Sequence, residues 1–305
     1  MPDAASSAAV APRMSRGRSL AWLAVAYAFA FVAAVATATA LPGWNPVVVA
    51  LAADVVATIA VFSFSVFLGN SSMYDPYWSV APVPIVAYWA MAPGGAFAVP
   101  LRQLLVVLLV TAWGVRLTAN QLARWHGLAD EDFRYQEIRR KTGKLYWPAS
   151  FFSIHLFPTG WVFLGLIAAW PALNGPARPL GVLDLVALVV TAGAVLVEAV
   201  ADLQLRRFVR TRRDPAAVLD VGLWAWSRHP NYFGEVSFWW GLWLFGVAAR
   251  PSWWWSVVGP LSITALFAFV SIPWMDRRML ARHPEWAGHM RRTSAFFPLP
   301  PRREA

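Results

Sequence analysis

Apolar stretches close to 20 residues recur along the chain, and they constrain its fold more than any other feature. Residues 20–40, 47–69, 101–121, 150–170, 180–201, 232–248 and 253–273 are such runs. About 20 apolar residues in a helix cross the hydrocarbon core of a bilayer. A further segment, 80–91, is apolar but short and carries Pro82 and Pro84. It is either a span or a broken, re-entrant piece. Composition agrees with a membrane solvent: 58% of the 305 residues are hydrophobic, 14% are charged and 19 are Trp. Soluble domains are about a quarter charged. The expected fold is all-α, a polytopic transmembrane helix bundle of seven to eight spans. A disordered basic tail at 1–19 precedes a single transmembrane domain at 20–273, and a basic tail at 274–305 follows it.

Charge gives the orientation. Lys and Arg number three in the N-terminal tail, six in 122–149, six in 202–229 and seven in 274–305, which is 22 of 26. Eight crossings, counting the short one, place all four regions on one side, the cytoplasm by the positive-inside rule. Seven crossings would put the N-terminal three on the opposite side. Both termini are therefore expected in the cytoplasm. The net charge of +10 flanks spans and does not alternate with stacking aromatics, so no nucleic-acid partner is expected. The chain has no Cys, which excludes disulfides, thiolate metal sites and Cys nucleophiles. Its five His (126, 155, 229, 283 and 289) lack HxxxH or HExxH spacing, so no metal is expected. No GxGxxG marks a soluble Rossmann site.

Several polar groups stand where lipid would exclude them unless they had partners or a ligand. Trp113, Arg116 and Asn120 share one helix face. Glu198, Asp202 and Arg206 are spaced four apart. They form either a salt ladder or a wall of acceptors for a ribose or base, with Arg206 and Arg210 reaching phosphate. Tyr74, Asp75, Tyr77 and Trp78 cluster at a membrane boundary. Asp75-Pro76 suits a helix start; equally, a carboxyl and a phenol there suit hydrogen bonding to a substrate carbonyl or donation of a proton. The loop 120–135 is a solvated loop or a lid. In the stretch 227–235, Pro230 fits a first helical turn. The free N–H groups of that turn, beside Arg228 and His229, suit an anion. Asn231 and Glu235 are four apart and share a face.

Ser-Arg-His-Pro-Asn-Tyr-Phe-Gly-Glu (227–235), followed by Trp239-Trp240-Gly241, resembles the C-terminal half of the steroid 5-alpha-reductase family. Asp-Pro-Tyr-Trp-Ser-Val-Ala-Pro (75–82) and Arg-Arg-Thr-Ser-Ala-Phe-Phe-Pro (291–298) resemble its bacterial branch. Sterol reductases and isoprenylcysteine carboxyl methyltransferases carry related blocks. The resemblance implies a bacterial inner-membrane reductase, monomeric or weakly homo-oligomeric, with NADPH in a cytoplasm-facing cavity and the C-terminal tail packed on that site. Hydride would go to one carbon of a double bond in a steroid-like or isoprenoid lipid, and a proton to the other. By position Asn231, Glu235 and Asp202 match family cofactor contacts and Arg228, His229 and Tyr232 lie in the same block; with Arg206 and Arg210 they make up the expected cofactor-binding residues. Asp75 loosely matches the family's acidic substrate residue, and the region of Arg116 matches a family helix that faces substrate; catalysis is expected at Asp75, Tyr74, Tyr77 and Arg116, and substrate contacts from Trp78, Trp113 and Asn120. Glu198 stands where the family's reductases can have an amide, and Met275, Asp276 and Met279 fall where the family has a His and a Tyr. The alternatives are an S-adenosylmethionine-dependent methyltransferase of a lipid or prenylated thiol, and a non-catalytic lipid-binding or transport protein.

Overall fold

A computed structural model describes residues 14–92, 100–129, 131–174, 177–214 and 216–302, and shows a polytopic helical bundle without strands among them. We number its main helices α1 (Arg16–Ala40), α2 (Pro46–Leu68), α3 (Pro82–Met91), α4 (Pro100–Arg124), α5 (Phe133–Leu173), α6 (Val182–Thr211), α7 (Pro230–Ala249), α8 (Pro251–Arg282) and α9 (Trp286–Arg292). Six of them, α1, α2, α4, α5, α6 and α8, are long and apolar enough to cross a membrane. At 20 residues α7 is about 30 Å long, enough by length alone. Phe29, Phe31 and Val32 on α1, Phe67 on α2, and Leu185, Val189 and Leu196 on α6 are all more than half exposed. The buried faces carry small residues such as Ala26 and Ala30 on α1, and the polar groups Asp54, Thr58 and Ser65 on α2 and Thr191, Glu198 and Asp202 on α6. Apolar residues outward and polar residues inward is the arrangement that a lipid solvent favours.

α1 starts at Arg16 because Ser15 caps it, its hydroxyl accepting from Arg18 N–H; residues 16–19 therefore belong to the helix and not to the tail. The first 13 residues of that tail lie outside the described residues. By packing, the chain forms two compact units. One comprises Met1–Trp44, Leu51–Trp78 and Gln121–Thr159, the other Asn45–Ala50, Ser79–Asn120 and Gly160–Ala305.

In the first unit the loop after α4 is tied down at several points. Leu128 N–H donates to Ser19 Oγ, and Asn70 Nδ2 donates to the Leu128 carbonyl. Gly127, at φ +105°, lies so close to Ser19 that a Cβ there would sit 2.8 Å from its Oγ. Glu131 accepts from the backbone N–H of Ser71 and from Arg139. The Arg139 guanidinium stacks 3.7 Å above the Tyr146 ring.

In the second unit α4 and α6 run parallel, joined by ion pairs at both ends with one sequence offset. Arg102, fully buried, donates to both oxygens of Asp184, at 2.6 and 2.9 Å. Arg116 and Asn120 pair with Glu198 and Asp202 at the same separation of 82 residues. The short segment 79–92 runs back alongside α4. Ser79 Oγ meets Thr118 Oγ1 at 2.8 Å. At the other end Asn174 donates to the Trp89 and Ala92 carbonyls, beside Leu173, whose carbonyl accepts from Gln103. These 14 residues cover about 20 Å as helix, less than the roughly 30 Å of a bilayer core. α7 packs against α6 through glycines. A Cβ on Gly241 would lie 2.1 Å from Thr191 Oγ1, and one on Gly234 would lie 2.4 Å from Glu198 Cγ. Small residues at such crossings let helix backbones approach in a membrane, where no hydrophobic effect drives them together.

Candidate functional site

The second unit holds a buried polar cluster on three helices. α4 contributes Trp113, Arg116 and Asn120, three residues on one face, as the spacing implies. α6 contributes Glu198 and Asp202, and α7 contributes Glu235 and Trp239. Arg116 Nη1 donates to Asp202 Oδ2 at 2.9 Å, and its Nη2 donates to Glu198 Oε2. Asn120 Nδ2 donates to the same Asp202 oxygen at 2.8 Å. Glu235 accepts from two indoles, Trp113 Nε1 at 3.0 Å and Trp239 Nε1 at 2.9 Å, one on each carboxylate oxygen. Trp113 stacks flat on Phe238 at 4.7 Å. Trp113, Asn120, Glu198, Asp202 and Glu235 are all buried. Arg116 is the most open member, with a side chain 15% exposed.

Not every polar atom here is matched by the protein. Arg116 Nε, Asn120 Oδ1 and Asn231 Oδ1 are buried and make no hydrogen bond among the described residues. Buried polar groups are nearly always paired, so each such atom calls for an explanation, a ligand or water among them. At the end of α6, Arg206 is half-buried and Arg210 exposed. Neither makes a hydrogen bond or ion pair within the described residues, which leaves two cations one turn apart.

Arg228 and His229 are placed differently from what a bare anion site would need. Arg228 Nη2 donates to Asp276 Oδ2 at 2.7 Å, and Nη1 donates to the Thr293 and Met290 carbonyls. His229 Nε2 lies 3.1 Å from Asp276 Oδ1, which also accepts from Trp286 Nε1. Arg228 N–H donates to the Ser294 carbonyl, and Ser227 Oγ to that of Phe296. The cationic start of α7 therefore clasps the C-terminal segment. Tyr232 stacks parallel on His229 at 5.2 Å. His289, nearly fully buried, is held by Thr293. Burial pushes its pKa down to about 4, so its ring is neutral at physiological pH.

The first unit holds Tyr74, Asp75 and Tyr77, but gives each a different partner. Tyr74 OH pairs with Thr159 Oγ1 at 2.7 Å. Tyr77 OH donates to Asp54 Oδ1 at 2.8 Å. Asp75 accepts from Tyr135 OH. Burial raises the Asp75 pKa to about 6, opposed by the Tyr135 hydroxyl and by Arg134. The two phenols are raised as well, again chiefly by burial. Trp78 lies half-buried at the end of the same stretch. Asp54 and Thr159 were not singled out from the sequence. A lone acid in the apolar run 47–69 was the available signal for Asp54.

Residues 61–293 match the family described as a protein of unknown function, DUF1295. The chain belongs to that family, which is associated with steroid 5-alpha-reductase-like membrane proteins. A protein of the fission yeast Schizosaccharomyces pombe, described as uncharacterized, is 25% identical over 276 residues. That match covers 83% of this chain and 80% of the yeast protein. No solved structure matches the chain. Among the described residues no group of His, Cys, Asp and Glu is arranged to hold a metal ion.

Proposed function

We propose that this chain is a membrane-embedded NADPH-dependent reductase of a carbon–carbon double bond in a steroid-like or isoprenoid lipid. One observation carries the proposal most. Three helices bring Arg116, Asn120, Asp202 and Glu235 together around buried polar atoms that the protein leaves unmatched. Asn231 Oδ1, another such atom, belongs to the first turn of α7. The residue types suit a nucleotide. Asp202 and Asn120 offer acceptors to ribose or base, Asn231 an amide to a carboxamide, and Arg206 and Arg210 free guanidinium groups to phosphates. Arg228, His229 and Tyr232 would hold the C-terminal segment in place beside the helix start. The cofactor, when bound, would supply a hydride. The chain itself would fix the ring's orientation and exclude water. Asp75, a carboxyl whose pKa burial raises to about 6, remains the candidate acid of its own unit, with Tyr74 and Tyr77 nearby in sequence.

The excess of carboxyls over the single guanidinium in the cluster also suits a cationic ligand, such as the sulfonium of S-adenosylmethionine. Ligand-dependent thermal stabilisation of the purified protein separates these assignments, because a ligand that binds only the folded state raises its melting temperature. NADPH is expected to raise it and S-adenosylmethionine to leave it unchanged. The reverse result would make the chain a methyltransferase. No shift with either would leave a lipid-binding or transport role.

A further inference from the structure

The second unit has a charged end that the polar cluster does not use. Arg102, Arg178 and Arg250 stand outside the four basic regions that the positive-inside rule explains. The fold brings them together where α6 begins and α7 ends. Asp184 and Asp202, both on α6, are about 27 Å apart along its axis, so this end is remote from Arg116 and Asn120. Residues 100–102, 177–184 and 248–257 carry three Arg and one acid here, and loops 93–99 and 175–176 add no charge. The acid, Asp184, is already committed. Its Oδ1 accepts from Arg102 Nε at 2.6 Å, and its Oδ2 accepts from Arg102 Nη2 and Gly181 N–H, both at 2.9 Å. Arg102 Nη1 and Nη2 also donate to the Arg178 and Pro179 carbonyls, at 2.8 and 3.3 Å. Arg178 N–H donates to the Ala249 carbonyl at 3.0 Å. A buried side chain thus fixes the backbone from which Arg178 projects. Arg178 is exposed, and its guanidinium makes no hydrogen bond or ion pair among the described residues.

Arg178 and Arg250 line one open pocket of about 420 Å³, together with Ala177, Ala249, Pro251 and Ser252. Interfacial arginines that merely snorkel reach separately for water; these two come from different connections and face a common space. We propose that this pocket is a binding site for the phosphate group of an anionic ligand, apart from the nucleotide site. Guanidinium groups match phosphate oxygens with paired, charge-assisted N–H donors, and two of them outweigh the single negative charge of a phosphodiester. The Ser252 hydroxyl adds a neutral donor. The surroundings set the depth of the pocket. Trp254 is 66% exposed and Trp255 46%, and Trp243 Nε1 donates to the Trp254 carbonyl. Such indoles gather at the headgroup level of a bilayer. Val258 and Leu261 on α8, and Val182 on α6, continue as exposed apolar surface, where acyl chains would lie. A phospholipid headgroup fits the site at that depth. The same donors would take free inorganic phosphate, and the two sources are separable by experiment.

Thermal melting of the full-length protein, delipidated in a neutral detergent, tests it with phosphatidylglycerol in mixed micelles and with inorganic phosphate. A ligand of the folded state raises the melting temperature. Phosphatidylglycerol is expected to do so, with a half-saturating mole fraction about tenfold higher in Arg178→Gln, the loss of one charge-assisted contact. Arg178→Glu is expected to abolish that response. Both variants alter an exposed side chain, so their melting temperatures without lipid should match wild type. A rise with inorganic phosphate that Arg178→Gln weakens in the same way would keep the site and make soluble phosphate its ligand. Identical titrations of wild type and Arg178→Gln with both ligands overturn the proposal, since the basic regions elsewhere would then account for any binding. Absence of a response to either ligand overturns it too. NADPH stabilisation reports on the other end of the unit, so the reductase assignment stands or falls separately.

Discussion

Removing the Arg116 side chain is the most informative perturbation of the cluster. Its guanidinium contacts Asp202 at 2.9 Å, with side-chain exposures of only 15% and 7%. Two unit charges at that distance attract by about 6 kcal/mol at an effective dielectric constant of about 20. Desolvation of the guanidinium offsets part of this. Breaking a buried pair by deleting one partner costs about 3–5 kcal/mol, because the other charge stays buried alone. Arg116→Met keeps the apolar length of the side chain and removes the charge. It is expected to lose about 3–5 kcal/mol of unfolding free energy, measured by reversible denaturation in mixed micelles. Adding Asp202→Asn removes the stranded carboxylate and keeps an oxygen for the Asn120 amide. The double variant should recover about 1–3 kcal/mol, the coupling expected of residues in direct contact. A loss below about 1 kcal/mol for Arg116→Met, or strictly additive effects, would refute the view that Arg116 holds this cluster together.

Two further perturbations test the helix packing and the first unit. At Gly241 even a methyl group meets Thr191, so Gly241→Leu is expected to cost at least about 1–3 kcal/mol by overpacking. Gly193→Ala, where nothing lies within 4 Å, should be neutral or stabilising by about 0.5–1 kcal/mol. Equal effects at both positions in the same denaturation assay would contradict the close α6–α7 crossing. Asp75 titrates near pH 6 in the folded protein against an ordinary value of 3.8. Between those values the folded state binds more protons than the unfolded state, so stability falls as pH rises through this window. Asp75→Asn should flatten that slope and gain about 1–3 kcal/mol over wild type above pH 6. Unfolding curves at pH 4, 5, 6 and 7 with parallel slopes for both proteins would show that Asp75 is not the group responsible.

The helices were legible in the sequence because lipid demands long apolar runs, and the polar faces were legible because charge in a span is costly. Trp113, Arg116 and Asn120 did fall on one face, opposite Glu198 and Asp202. What periodicity cannot supply is the rotation and depth at which one helix meets another. Glu198 and Glu235 stood out singly, but their place in one cluster depends on Gly234 and Gly241 letting α7 sink against α6, and glycine in an apolar run carries no address. Segment 79–92 was ambiguous for a related reason. Its length alone does not reveal that Asn174 and Thr118 fix its two ends at opposite levels of α4. Arg228 and His229 show the limit most clearly. A cationic helix start favours an anion by its local field, and the sequence supports that much. The anion it meets is Asp276, carried 48 residues onward on α8. A short-range rule gives the sign of the partner, and only the folded chain decides whether that partner is a ligand or the protein's own carboxylate.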